Sequence, residues 1–271
     1  MIVAAGLFYS YASGKRNLFS YDKKIICFRN MPSFGDMYLM LGKRVAFVLF
    51  GLSATLLLAV ALLPVHAASA LVQQNNRECL GCSSTLSVSF TNNVASGDVI
   101  VVGVVVGEAS FTLSSLTDAL GSTFTQAVTS TNAPPPIVYI YYATLAVSGE
   151  EIVTATFSGA APAETVYIYE VSGVTTARVA NATGSGTGTS ISTSTSVSFQ
   201  NGSFLLGIIG TNSFGATATP GAGFTLSTNN SGTGVAYAQY SISGVSSPTS
   251  FQATTNSAVS WAEDAIALTL D

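Results

Sequence analysis

Few side chains in this 271-residue chain can do chemistry, and they are grouped. Two acidic doublets, Glu150–Glu151 and Glu263–Asp264, concentrate the carboxylates. Paired carboxylates can serve in acid–base work or hold calcium, which takes about six to eight oxygen ligands. Neither doublet has the spacing of a calcium loop, so both are read as solvated residues of turns or strand edges, with no metal site. Asp118, in TDALGST, is read as a turn cap that accepts from nearby backbone. Tyrosines form the other grouping: Tyr139, Tyr141 and Tyr142 in VYIYYAT, and Tyr167 and Tyr169 in VYIYEV. Side chains alternate along a strand, so Tyr139 and Tyr141 share one face, as do Tyr167 and Tyr169. Exposed, these four make an aromatic platform for surface glycans; buried, they make cross-strand pairs of the core. Trp261, in the last apolar segment, is assigned to the core.

What is missing narrows the chemistry. From Leu71 onward there is no lysine and no histidine, and the cations Arg77 and Arg178 face eleven acids. That segment carries a net charge of −9, against −4 for the whole chain. Histidine is the side chain whose ordinary pKa suits proton transfer near neutrality, so a Ser–His–Asp triad, a Cys–His pair and histidine metal ligands are all excluded from it. So few cations leave no electrostatic footprint for nucleic acid, and a net negative chain is repelled by anionic lipid. The expectation is a protein that is not an enzyme and carries no cofactor.

Lys43 and Arg44 precede the apolar run VAFVLFGLSATLLLAVALL, followed by Pro64 and the small-residue words VHA and ASA. Charge, apolar run, then small residues is the layout of a signal peptide, assigned to residues 40–70. The alternative is an uncleaved membrane anchor over residues 45–63, close to the roughly 18 apolar residues that span a bilayer. Residues 1–39, with Met31 and Met37 inside and Met40 just beyond, are read as a start-site overextension without folded structure. The expected location is secreted or cell-surface. Exported chains favour disulfides, so Cys79 and Cys82 in CLGC are read as a bridge within an N-terminal tail, residues 71–84. Asn181, Asn201 and Asn229 open sequons and are glycosylation candidates.

The elements that would position these residues all read as β. VIVVGVVV is a near-continuous apolar run bounded by Gly97 and Gly107, as in a strand buried on both faces. TLSVSF and IVTATF alternate, as half-buried strands do. Several words return in order. SVSF occurs at Ser87–Phe90 and Ser196–Phe199; Gly103 is answered by Gly207; Gly121, Phe124 and Thr125 by Gly221, Phe224 and Thr225; Tyr139 and Tyr142 by Tyr237 and Tyr240. This predicts a degenerate duplication with halves 85–180 and 188–271. The predicted fold is all-β: one pseudo-two-fold, jelly-roll-like sandwich with interleaved halves, or alternatively two tandem Ig-like sandwiches. Asn181–Ser196 is the hinge, a flexible linker or, in its latter part, a polar edge strand.

The sequence SLTDALGSTFTQA … YIYYAT … VTATFSGA … VYIYEVSGV … ATPGAGFTL resembles a family of secreted prokaryotic β-sandwich proteins without an assigned activity, over Ser83 to Leu270. More distantly, composition and layout resemble jelly-roll surface-filament subunits of archaea and bacteria. The resemblance implies fold and export and carries over no catalytic residue. The expected role is structural or adhesive, with a carbohydrate-binding module and a filament subunit as alternatives. The expected partners are further copies through β-edges, or surface glycans. A membrane is expected to be touched only through the N-terminal apolar segment.

Overall fold

The computed structural model describes residues 18–21, 24–27, 68–81, 83–130, 136–160, 163–227 and 235–270. Two compact units meet in sequence between Val65 and His66. In the first, β1 (Leu18–Tyr21) and β2 (Lys24–Cys27) pair antiparallel. These residues are therefore strands where no folded structure is expected. The apolar run at residues 45–63 lies outside the described residues.

The second unit is all-β. Its strands are β3 (Ala70–Leu80), β4 (Thr85–Ser89), β5 (Val99–Val106), β6 (Leu113–Asp118), β7 (Thr125–Thr129), β8 (Ile137–Thr144), β9 (Ile152–Phe157) and β10 (Ala163–Ser172). Then come β11 (Val174–Ser192), β12 (Phe204–Thr211), β13 (Ala218–Pro220), β14 (Thr225–Leu226), β15 (Ala236–Ser241) and β16 (Gln252–Leu270). They form a small sheet in the order β4-β9-β6, a central sheet in the order β3-β10-β5-β8-β7, and a third in the order β11-β16-β12-β15-β14, with β13 also on β16.

The predicted sandwich architecture is present, but its halves do not interleave. Every strand from β3 to Gly173 belongs to the small and central sheets, and every strand after it to the third. Short connections keep neighbouring segments paired, which segregates the halves. The sheets are stacked. One face of the central sheet, with Ile100, Val102, Val104, Val166 and Ile168, packs on Leu86, Val88, Val153 and Phe157 of the small sheet. Its other face, with Val101, Val105, Ile140, Tyr167 and Tyr169, packs on Phe204, Leu206, Ile208, Ile266 and Leu268 of the third. The third sheet is covered in turn on its far side, where Leu205, Phe251, Ala265 and Ala267 form one cluster and Ile209, Tyr237 and Trp261 another. This explains the unbroken apolar words: all eight residues of β5 and all eight of β12 are buried.

The boundary between the halves is Gly173, at φ +70°, rather than a linker at Asn181–Ser196. Val174–Ser192 is one long edge strand along β16. Gly, Ser and Thr are as compatible with a polar edge as with a linker, and pairing to an apolar neighbour decides between them. The segment assigned to a tail, residues 71–84, also departs from expectation, since Ala70–Leu80 pairs with β10 along its length. Its polarity has a cause. Gln73, Asn75 and Arg77 donate to the carbonyls of Asn92, Ser89 and Ser87 at 3.0, 2.8 and 3.2 Å, capping the open edge of the small sheet. Gln74 on the opposite side accepts from the Ser227 hydroxyl at 2.8 Å. A strand that ties three sheets together by side-chain hydrogen bonds needs amides where a core strand needs valines.

The two halves share a strand order: β3-β10-β5-β8-β7 is echoed by β11-β16-β12-β15-β14, and the bridge Val94↔Gly149 by Val197↔Thr249. The letters do not follow. Val88 opposite Val153 corresponds to Ile191 opposite Ala253, so the counterpart of the first SVSF is SIST at Ser190–Thr193. The second SVSF lies outside the named strands. Gly103 and Gly207 also face opposite ways. A Cβ on Gly103 would stand 2.6 Å from the Ile208 side chain across the shared core, whereas one on Gly207 would meet Phe251 on the far side of the third sheet.

That contact yields a test. Gly103→Val should cost about 1–3 kcal/mol in urea denaturation, because overpacking forces backbone apart. Adding Ile208→Ala to that variant should recover part of the loss, a coupling absent if the two sheets do not pack here.

Candidate functional site

The tyrosines do not form a platform. Tyr139 and Tyr141 share a face, as expected, and it is the face toward the small sheet. Tyr167 and Tyr169 also share a face, the opposite one, toward the third sheet. The four are split across the central sheet. Tyr167 and Tyr169 are fully buried, and Tyr139 is nearly so. The Tyr169 ring lies 6.2 Å from that of Phe204, in the core shared by the halves. Burial raises the hydroxyls of both Tyr167 and Tyr169 well above their ordinary value. Tyr141 alone of the four is half-exposed, with its hydroxyl donating to Gln126 Oε1 at 2.8 Å. A lone phenol already engaged in a hydrogen bond is not a sugar-stacking surface.

The acidic doublets differ more sharply from expectation. Glu150 is exposed, but Glu151, Glu263 and Asp264 have no solvent exposure at all, and Glu164 and Glu170 are buried with them. The cause is position. Glu263 and Asp264 lie in the middle of β16, flanked by Trp261–Ala262 and Ala265–Leu268, where the strand is covered on both sides. In such a strand consecutive residues are both inside. WAEDAIAL and AETVYIYEV, acids set within otherwise apolar words, were the available signal.

Each acid has a particular setting. Glu263 Oε1 accepts from Gln239 Nε2 at 2.9 Å, and Gln239 Oε1 accepts from the Gly221 amide at 3.1 Å. Glu263 Oε2 has no hydrogen-bond partner, and the Asp264 oxygens have none in good geometry, the Ser130 amide and hydroxyl being the polar groups beside them. Burial pushes Glu263 up to about 8 despite the Gln239 bond. It pushes Asp264 up to about 8 against the lowering effect of neighbouring Ser130, with the Glu263 charge adding to the rise. Glu151 is pushed up to about 7, first by burial and second by the nearby Asp118 charge. Asp118 caps its turn as expected, accepting from the Ser122 amide at 2.7 Å. Asp98 is pushed up to about 6 by burial and by its hydrogen bond to Glu170. Glu170 accepts from Gln73 Nε2 at 2.7 Å and from the Ala95 amide at 2.8 Å. None of these shifts has a cation among its causes.

Two open concavities lie elsewhere. One of about 280 Å³ is lined by Ser190, Ser192, Thr219, Pro220, Gln252 and Thr254. The other, about 320 Å³, has Arg178, Phe199 and Gln200 on its wall. Neither contains an acid–base pair. Cys79 is disulfide-bonded, while its expected partner Cys82 lies outside the described residues. Asn201 is exposed in the turn before β12, and Asn181 is exposed on β11 with its Nδ2 donating to the Ala127 carbonyl at 3.0 Å. Asn229 lies outside the described residues. Trp261 is buried, as expected.

Comparison with protein-family models, curated proteins and solved structures finds no match to this chain. Its chemistry therefore rests on the geometry above. Fully buried carboxyls can hold protons and tie loops together, but they cannot reach a substrate.

Replacing Tyr167 or Tyr169 by Ala should cost about 3–5 kcal/mol in denaturant unfolding, the range for a buried aromatic. Tyr141→Ala should cost about 1 kcal/mol or less. Equal, small effects for all three would show that the aromatic faces are not buried as described.

Proposed function

We propose that this chain is exported and serves as a non-catalytic structural or adhesive β-sandwich at the cell surface or in the medium, acting through contacts between strand edges. The observation that carries this reading is β11. Val174–Ser192 pairs with β16 along one edge and with no other strand among the described residues. A long edge offers unpaired backbone donors and acceptors to another strand, and natural proteins blunt such edges with lysine or proline. β11 has neither, and Arg178 near its start is its only charge. Beyond Thr183, whose carbonyl already accepts from the Ser194 amide at 2.7 Å, its exposed side chains are the hydroxyls of Ser185, Thr187, Thr189 and Ser190, which a second strand can approach closely.

Export is supported by the basic–apolar–small layout of residues 43–70 and by the disulfide-bonded state of Cys79. Cleavage after Ala67 or Ala70 would leave β3 able to cap both neighbouring sheets. The glycan-binding alternative loses its tyrosine platform, and among the described residues the exposed Phe214 stands alone as an aromatic surface. Self-association through β11 would make the protein a repeating surface element, which accommodates the filament reading without a separate site.

Two experiments test this. Intact-mass and N-terminal analysis of native protein should place the mature start at Ala68 or Leu71; recovery of the apolar run in a membrane fraction would replace export with anchoring. Sedimentation of the mature protein over a range of concentrations should reveal assembly that Ser185→Lys with Thr187→Lys abolishes, while the melting temperature is unchanged. A wild-type protein monomeric at every concentration, or assembly indifferent to the lysines, would refute the edge-contact role.

A further inference from the structure

We propose that this sandwich is a low-pH fold, in which Glu263 and Asp264, back to back on β16, are kept uncharged and act as a proton-operated lock on the packing of the third sheet against its neighbours. The acids occupy opposite faces of one strand, at the same level of the stack. Glu263 pairs in register with Ile209 and Gly184, and Asp264 with Ile208 and Thr183. Glu263 points into the far-side core, against Gly207, Phe251 and Gln239. Asp264 points into the core shared with the central sheet, beside Ser130 at the end of β7.

Among the described residues no neighbour supplies a compensating charge. On the Glu263 side, β12 contributes Ile209 and Gly207, β15 contributes Gln239 and Tyr237, and the segment entering β16 contributes Phe251. The Tyr237 hydroxyl is bonded to the Ala216 carbonyl and pushed up to about 12, so it stays neutral. On the Asp264 side, the titratable groups of the shared core are the phenols of Tyr142 on β8, Tyr167 and Tyr169 on β10, and Tyr240 on β15. Glu78 on β3, whose charge bears on Tyr167 and Tyr237, is a further acid and not a partner. The two arginines are elsewhere: Arg77 is exposed and reaches the Ser87 carbonyl, and Arg178 lines an open concavity. Burial without a cation disfavours the ionised form, and the group takes up a proton instead.

The same composition removes the usual reasons for acid unfolding. Acid normally unfolds proteins by protonating carboxylates that the native state holds in pairs, and by building up positive charge. From Leu71 onward only two arginines can contribute such charge. A buried carboxyl whose folded pKa is raised binds more protons folded than unfolded between its two values, so stability falls as pH rises. The contribution of Glu263 and Asp264 is complete below their ordinary values near 4, and is lost as pH climbs through about 8. Glu151 and Asp98 act in the same direction with lower endpoints, about 7 and about 6.

The test is thermal unfolding of the mature protein from pH 3 to 9, for wild type and for Glu263→Gln with Asp264→Asn. The wild-type melting temperature should be highest in acid and should drop from about pH 5 to above pH 8. The double variant, neutral at every pH, should lose most of that drop and should melt above wild type at pH 8. A melting temperature that peaks near neutrality, or an unchanged slope in the variant, would overturn the lock. Should the variant fail to fold, an infrared titration of folded wild type from pH 6 to 9 decides the matter. Asp98 and Glu151 give up their protons by about 6 and about 7, so a protonated-carboxyl band that is lost only as pH passes about 8 supports the proposal, and a band already gone by about pH 7.5 refutes it.

Discussion

The rest of the structure depends on the central sheet being covered on both faces. Its strands β5 and β10 have no wet side, so every residue on them must fit one of two cores. Backbone groups are satisfied by the ladder, and side chains must be apolar or bring their own partners. Gly103 shows how tight the fit is, since Ile208 from the third sheet occupies the space where a side chain would stand. The constraint spreads outward. Because the third sheet is needed as a cover, it becomes buried on its inner face, and its own far side must be covered by Phe251, Phe224 and Val197. Stacking sheets in this way lets a chain rich in Ser, Thr and Gly bury enough apolar area to fold without long side chains.

Strand polarity in this molecule reports position in the stack. β5 and β12 are wholly apolar because they lie inside. β3 is amide-rich because it lies at an edge where three sheets come within reach, and Gln73, Asn75 and Arg77 each satisfy a carbonyl of another sheet's margin. β11 is hydroxyl- and glycine-rich because it is an edge that must bend, with Gly188 at φ +143° where its pairing to β16 shifts register. Polar composition therefore marks edges here, and the same composition in isolation resembles a tail or a linker.

That ambiguity sets the limit of what the chain's letters disclose. The all-β class follows from alternation in TLSVSF and IVTATF, and the double burial of VIVVGVVV from its unbroken run. The tail assignment and the linker reading of the hinge fail because propensity cannot see the partner strand, whereas the polar-edge reading of the hinge's latter part agrees with β11, which runs to Ser192. The repeated SVSF misleads for a related reason: in sequence drawn from so few residue types a four-letter word recurs by chance, and the segment that pairs as the first SVSF does is SIST, six residues upstream of the second. The tyrosine faces were legible to the extent of which residues share a side, since Tyr139 and Tyr141 do. The side each pair looks toward depended on strand pairing, where Val104 stands opposite Tyr139 and Gly103 opposite Tyr167. The acids were the largest misreading. A charged residue is read as solvated by default, and only its position within a doubly covered strand reverses that.

Those acids have a structural role that follows from hydrogen-bond chemistry alone. A carboxylate only accepts, whereas a protonated carboxyl also donates. Glu170 uses its acceptor capacity to tie three segments, drawing Gln73 from β3, the Ala95 amide from the preceding loop and Asp98 from the start of β5 onto one side chain. Gln239 does the same on the third sheet, joining the Gly221 turn to Glu263. A lysine or arginine at these places would bring a long, strongly hydrated group into spaces bounded by Gly207 and Phe251, with a second charge to bury. Protons perform the neutralisation with no added volume. A fold that neutralises its interior in this way needs no cations for stability, which leaves its surface almost free of positive charge and its long edge on β11 without the lysines that elsewhere keep strands apart. The scarcity of cations, the buried acids and the unguarded edge are thus three consequences of one solution to packing sheets on both sides.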